Sequence, residues 1–396
     1  MYEVLDGLLD LSYSDCKSQN IYREEDFEQF KINEPYIGIV DTSIYYDMQA
    51  YLRPLSSFYQ LRNLGYNNME NALEKHEQII DVKNMRLIQK LKYKENIVNQ
   101  RREIVKKLEG SSGIQGKSAS LNQNMIVIYV DAISRQRAMK KLPKTMEFFK
   151  NQNDMYEFLK FHSLVGWTDQ NAQMFMYGNA YLNGSYITNK TVQSSIFEFF
   201  QEQGFITGKS QNYCEFSYYT QPPSINEIQP HKVFDHENVA FSCDPHYHNK
   251  ENPHLPNSGP YSIFRHCLYG KDTYEHVLDF GTQFMNLYPK DKKLLVLNFI
   301  DNHEGTGEVV KYLDQPLTQF MTDMQQKHPN TTILLMSDHG WHMNGLGMMM
   351  TGKDQSMVEK HLPVLYIANL GNSLSELEKS NLIYNQQKLF SKQDAT

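Results

Sequence analysis

The chain has 396 residues, and none of its apolar runs approaches the roughly 18 residues that would span a bilayer, so no transmembrane helix is expected. The N-terminus, Met1-Tyr-Glu-Val-Leu-Asp6, lacks both a basic start and an apolar core and does not read as a signal peptide. The sequence therefore reads either as cytosolic or as separated from its leader. Positive charge is also lacking. Lys and Arg number 39 against 46 Asp and Glu, and a net charge of −7 argues against general nucleic-acid binding. Cysteine is scarce, and Cys16, Cys214, Cys243 and Cys267 show no metal-type spacing. In a secreted protein they would form disulfides, and in a cytosolic one they would be buried thiols.

What is present is material for a sizeable core, since 40% of residues are hydrophobic and 12% aromatic. Two distant stretches stand out. Met125-Ile-Val-Ile-Tyr-Val130 runs into Asp131, and Thr332-Ile-Leu-Leu-Met336 runs through Ser337 into Asp338-His339-Gly340. Leu294-Leu-Val-Leu-Asn-Phe-Ile300 is a third such run, ending in Asp301-Asn302-His303. Aliphatic runs of this kind read as strands buried on both faces, as in a parallel sheet covered by helices. Open α/β sheets bind ligands at the carboxyl ends of their strands, where these acids stand. Asp301 and His303 are two apart and would share a face if the strand continued.

The rest of the chain is read around these strands. Residues 1–110 form an N-terminal accessory region, with a strand at Tyr36–Val40 and basic amphipathic helices between Met69 and Leu108. The basic half of that stretch (Lys90, Lys92, Lys94, Arg101, Arg102, Lys106, Lys107) reads as a solvated helix face rather than a nucleic-acid or membrane arm, because acids interrupt it. Residues 111–120 are a Gly/Ser linker, 121–370 the catalytic part and 371–396 a tail. Tyr156–Val165 is a strand candidate. Strand–helix–strand alternation continues through a helix at Thr191–Gln203, helices at Asp272–Tyr288 and Val309–Lys327, and a last strand at Val364–Ile367. This alternation predicts an α/β, doubly wound, mostly parallel sheet with helices on both faces, plus the smaller N-terminal region. Residues 208–270 interrupt it with prolines and with His231, His236, His246, His248, His254 and His266. The segment reads as an insertion over the active site, a variable loop or a metal-binding loop. Sequons at Asn183, Asn189 and Asn330 would allow glycosylation, although a chain this rich in Asn shows them by chance.

Thr168 opens a short helix that Gly178 closes, which puts a hydroxyl among free N–H groups at the positive end of a helix dipole. It is either a plain N-cap or an activated nucleophile. Strand and helix ends thus present Asp131, Thr168, Asp301 with His303, and Asp338 with His339, and His361 precedes the last strand. Two carboxylates, an imidazole and a hydroxyl suit a divalent cation such as zinc or manganese. Asp301, His303 and His361 could hold a second cation or donate to a substrate oxyanion.

Several motifs carry a resemblance: Asp131-Ala-Ile-Ser134-Arg135 with Leu142-Pro143-Lys144-Thr145, Gly166-Trp-Thr168 followed by Asn171, Ser337-Asp338-His339-Gly340, and Gly352 with Glu359 and Leu362-Pro363. In this order, over roughly residues 121–370, they resemble the alkaline phosphatase/sulfatase superfamily. The match is nearest to its sulfatase-like branch called domain of unknown function 229. The resemblance implies an alkaline-phosphatase-like fold and a metal-dependent hydrolase or group transferase. The substrate would be a phosphate ester ahead of a sulfate ester, on a lipid or glycan. It also implies Thr168 as nucleophile, one metal shared by Asp131, Thr168, Asp338 and His339, and an extracytoplasmic or lumenal location. Two-metal members carry Asp and His four apart where Asp301 and His303 are two apart. Single-metal members place a lone histidine against substrate, a role His303 would fill, with Asn171 nearby. No Cys-x-Pro-x-Arg lies near Thr168, so the formylglycine of true sulfatases is absent. The alternative is an inactive sulfatase-like protein serving as a scaffold.

Overall fold

A computed structural model describes residues 77–81, 86–111, 123–166, 168–177, 181–182, 185–186, 195–213, 234–243, 260–263, 265–342, 353–370 and 374–391. Its elements run β1 (Gln78–Asp81), β2 (Arg86–Gln89), α1 (Glu95–Ser111), β3 (Asn124–Val130), α2 (Arg135–Lys141), α3 (Pro143–Lys150), β4 (Met155–Glu157), β5 (Phe161–His162) and α4 (Thr168–Tyr177). Two short strands follow, β6 (Tyr181–Leu182) and β7 (Ser185–Tyr186), then α5 (Ile196–Glu202), β8 (Ile206–Gln211), β9 (His236–Asn238), β10 (Cys267–Leu268), β11 (Lys271–Asp272) and α6 (Thr273–Leu287). The chain continues with β12 (Lys293–Phe299), α7 (Asp314–Lys327), β13 (Thr331–Met336), α8 (Lys353–His361), β14 (Leu365–Ala368), α9 (Glu376–Asn385) and β15 (Phe390–Ser391).

Seven strands make one open sheet in the order β4-β14-β13-β3-β12-β8-β9. The run β13-β3-β12-β8-β9 is parallel throughout, and β14 is antiparallel to both β13 and β4. β3 lies at the centre because its residues are apolar on both sides. Ile126, Ile128 and Val130 pack with Phe149 of α3, Phe280 and Phe284 of α6, and Phe320 and Met324 of α7. Val127 and Tyr129 point the other way, into Phe175 of α4 and Phe197 and Phe200 of α5. Each such side chain, fully buried, contributes about 1.5–3 kcal/mol relative to exposure. Helices therefore cover both faces, and the fold is the doubly wound, mostly parallel α/β sheet that the sequence predicts. Among the described residues no helix is long and apolar enough to cross a membrane.

Three local readings change. The stretch read as helix from Met69 begins, where described, with a hairpin in which Ile79 pairs Ile88 and Ile80 pairs Leu87. β-Branched neighbours favour a ladder, and the helix starts only at Glu95. Helix α1 buries Val98 in the main core and gives Arg101 to the Phe205 carbonyl at 2.9 Å. The strand expected over Tyr156–Val165 is two short ones, β4 and β5, and Val309–Lys327 opens with a 3-10 turn at Val309–Leu313 before α7. The strand read at Tyr36–Val40, the linker beyond Ser111, the sequons at Asn183 and Asn189, and His231, His246, His248 and His254 lie outside the described residues. Cys267 is disulfide-bonded.

His276 on α6 is fully enclosed, with Nε2 donating to the Leu268 carbonyl at 2.9 Å and its ring against Phe241. Burial holds its pKa down to about 4 against the bond to Leu268; the charge of Lys271 lowers it and that of Asp279 raises it. The unfolded chain takes up this proton below about pH 6.5 and the folded chain does not, so stability falls as pH drops from 6.5 towards 4. Urea unfolding at pH 7 and pH 5 should show that the parent loses about 2 kcal/mol more on acidification than His276→Gln.

Candidate metal centre

The carboxyl ends of β3, β12 and β13 reach the same edge of the sheet because the three strands are parallel. Asp131 follows β3 and is pinned by its N–H to the Phe299 carbonyl at 2.8 Å. The chain then turns sharply. Ala132 adopts φ 59°, and its N–H donates to Asp338 Oδ1 at 2.9 Å. Ile133 N–H donates to Ser337 Oγ at 3.0 Å. The Asn302 amide donates to the Ala132 carbonyl, which ties the end of β12 to the same turn. Three strand ends are thus laced together by backbone donors before any ligand is considered.

Within this frame Asp131, Asp338 and His339 are fully buried, and one ligand atom of each lies within 4.8 Å of the others. Asp338 commits Oδ1 to Ala132 and Ser337, while Oδ2 lies 3.2 Å from His339 Nε2. His339 Nδ1 is 2.8 Å from the Gly340 carbonyl, which can only accept. The proton therefore sits on Nδ1, and Nε2 presents its lone pair. Thr168 is the first residue of α4, and its Oγ1 is 3.0 Å from His339 Nε2 and 3.5 Å from Asp131 Oδ1. Two ligands of one tetrahedral zinc stand about 3.4 Å apart, given bonds of about 2.0–2.1 Å. The separations of 3.0, 3.2 and 3.5 Å seen here are close to that edge length, so the residues present fit a divalent cation. Two carboxylates buried side by side repel unless a cation lies between them.

The remaining expected residues are placed as follows. Asn171 is buried on α4 and gives its amide to the Val165 carbonyl at 2.7 Å, holding the loop before Thr168. His303 stacks edge-on against Tyr261 and His342, each 5.2 Å between ring centres. His342 in turn lies 4.5 Å from the His339 ring. Asp301 does not share a face with His303, because the strand ends at Phe299 and Asp301–Asn302 is a turn. The Asp301 carboxylate faces Asn212 at 2.8 Å and His266 at 3.6 Å. His361 points to Ser163, with Nδ1 3.0 Å from its Oγ, so the structure does not bring it to Asp301. Sequence reading missed His342, and it named His266 only as one of the histidines of the 208–270 segment. His342 was findable, three residues after His339; burial first, then the charges of His339 and Lys360, push its pKa down to about 4.

Behind the site, Arg137 lies over the Trp341 ring at 4.0 Å and pairs with Glu359 at 3.2 Å, and Trp341 donates to the Glu304 carbonyl at 2.9 Å. Glu304 is buried and accepts from the N–H groups of Glu308 at 2.7 Å and Val309 at 3.3 Å, closing the loop that carries His303.

An open, mostly parallel α/β sheet with a buried Asp-Asp-His cluster and a threonine at its carboxyl edge defines the class. The chain belongs to the family described as "Protein of unknown function (DUF229)", whose model matches residues 55–396. No curated protein matches it. Among solved structures it is similar to the C-terminal periplasmic domain of EptC from Escherichia coli in complex with zinc. That match has 13% identity, covers 70% of this chain and 82% of that one, and has a TM-score of 0.45. It is also similar to the soluble domain of lipooligosaccharide phosphoethanolamine transferase A from Neisseria meningitidis, with 14% identity, 71% and 87% covered, and a TM-score of 0.44. A protein of the alkaline phosphatase superfamily from Vibrio parahaemolyticus matches at 14% identity, covering 69% and 68%, with a TM-score of 0.41.

Gly340 allows the Asp338–His339 turn to reach α8. Its N–H donates to the Lys360 carbonyl at 2.7 Å, and an added Cβ would stand 1.8 Å from the Glu359 carbonyl oxygen. Backbone cannot yield as a side chain does. Gly340→Ala should therefore destabilise the protein by at least about 3 kcal/mol, read as a lower Tm or loss of soluble protein.

Proposed function

We propose that this protein is a metal-dependent enzyme that cleaves or transfers a phosphate ester through Thr168. The observation that carries the reading is the position of the Thr168 hydroxyl. It sits on the first residue of a helix, 3.0 Å from Nε2 of His339 and beside Asp131. A divalent cation held by Asp131, Asp338, His339 and Thr168 would lower the pKa of that hydroxyl. The positive end of α4 favours the same ionised form.

The Thr168 oxygen attacks phosphorus in line. The new Oγ1–P bond forms as the ester P–O bond breaks, and the alcohol departs with the proton that Thr168 gave up. Water, or a second hydroxyl-bearing acceptor, then attacks the phosphothreonine from the vacated side and restores Thr168. His303 and His342, packed edge to face against each other, would donate to the phosphoryl oxygens or the leaving group. Hydrolysis and group transfer share the first half of this sequence and differ only in the acceptor. Phosphate is preferred to sulfate because the nucleophile is an unmodified threonine. The disulfide at Cys267 supports an oxidising, extracytoplasmic location.

The test is turnover of an aryl phosphate monoester and an aryl sulfate by zinc- or manganese-loaded protein, with metal content measured on the same sample. Thr168→Ala should lower kcat by at least about a thousandfold without loss of metal from a folded chain. Asp338→Ala should lose both metal and turnover. A folded parent that binds no divalent cation would sink the proposal.

A further inference from the structure

We infer that Arg137 is a positioning residue of the reaction, one that sets the loop carrying His303 against the loop carrying His342. The inference rests on the enzyme reading above and adds a residue to it. Residues 301–308 follow β12 and residues 337–342 follow β13, and neither segment gives a side chain to either apolar cluster. The packing that fixes the strands therefore stops at the sheet edge. Polar contacts fix what lies beyond it, and several of them meet at one guanidinium.

Arg137 is placed by its own helix. Ser134 caps α2 by accepting from the Arg137 N–H at 3.0 Å, just after the Asp131 turn. The Arg137 side chain is buried and serves three directions at once. The guanidinium lies over the Trp341 ring, 4.0 Å from its centre. Nε donates to Glu359 of α8 at 3.2 Å. Nη1 donates to the carbonyls of Gly307 at 3.3 Å and Thr306 at 3.5 Å. Trp341 closes the circuit, giving its indole N–H to the Glu304 carbonyl at 2.9 Å. A planar, forked cation can stack on a ring and donate on several sides, whereas the ammonium of a lysine cannot.

The loop after β12 is shaped to admit this group. Gly307 has φ 64°, and a Cβ there would stand 2.2 Å from Arg137 Nη1. His303 heads the same loop, and its ring meets that of His342, the residue after Trp341, at 5.2 Å between centres. Moving either loop moves one imidazole relative to the other and to His339, whose ring lies 4.5 Å from that of His342. The metal ligands are anchored separately, Asp338 by Ala132 and Ser337, and Asp131 by its N–H to the Phe299 carbonyl. Loss of Arg137 should therefore misplace the two histidines and spare the metal. A misplacement of about 1 Å costs on the order of a hundredfold in rate.

The experiment compares turnover of an aryl phosphate monoester by zinc-loaded full chains, with zinc counted by mass spectrometry and the fold checked by circular dichroism on each sample. Arg137→Lys should keep the parent's zinc and a KM within about threefold, while kcat falls about a hundredfold. Trp341→Phe keeps a ring for the stack and loses only the bond to Glu304, so its kcat should fall about tenfold with zinc and KM unchanged. The control is Arg101→Lys. Arg101 is as buried as Arg137 and pairs with Asp235 at 3.0 Å beside β9, and its loss should lower Tm and leave kcat within about twofold. A purely structural Arg137 would behave like that control. Should Arg137→Lys fail to fold, Trp341→Phe decides alone. Unchanged kcat in the folded variants overturns the inference. So does loss of zinc, a raised KM in place of a lowered kcat, or an equal fall of kcat in Arg101→Lys. Each of these outcomes, seen beside an active parent, leaves the proposed function standing. A zinc-loaded parent without turnover overturns both.

Discussion

Two carboxylates with no exposure to water, Asp131 and Asp338, are set next to each other and to His339. That juxtaposition is the constraint on which the rest of the structure depends. Left alone it would push the strand ends apart, since buried like charges cannot be screened. The fold counters this with the Ala132 N–H aimed at Asp338, with the Thr168 hydroxyl beside Asp131, and with a β3 buried on both of its faces. Ala132 is held in a left-handed conformation that costs a non-glycine residue on the order of 1–3 kcal/mol. In that conformation its N–H reaches Asp338, so local strain accompanies the orientation of a charge.

Much of this was legible in the sequence, for a physical reason. A strand buried on both faces must be apolar at every position, so β3, β12 and β13 announce themselves as unbroken runs. An acid directly after such a run can only sit at the sheet edge. Thr168 was legible as a helix start for a similar reason. What could not be read was direction and reach. Nothing in Leu365–Ala368 says that β14 runs antiparallel to β13, because alternation does not depend on polarity. The spacing of Asp301 and His303 suggested a shared face only if the strand continued, and it does not. His361 is adjacent in sequence to the last strand, yet its ring turns to Ser163. His266 stood out only as one of many histidines in a loop-rich segment, and the fold alone sets it beside Asp301.

The N-terminal hairpin shows the same limit from another side. Ile79, Ile80, Leu87 and Ile88 are spaced as a helix face would be, but tertiary partners decide. Glu77 reaches His236 at 2.8 Å, and the Tyr288 hydroxyl lies 2.6 Å from the other nitrogen of that ring. The hairpin is thereby tied beside β9, the outermost strand of the sheet. A sheet edge with unpaired backbone groups invites association with other chains, and covering it lowers that risk.

The bond from Ala132 N–H to Asp338 Oδ1 joins residues 206 apart in sequence. Closing a loop of that length costs about 5 kcal/mol of chain entropy before any contact repays it. The centre is therefore a late event in folding, available only once β13 has paired with β3. An ion captured there ties the first strand of the parallel sheet to its last. It acts as a clasp on the finished topology, and fragments of the chain that lack either end would have nothing to close it on.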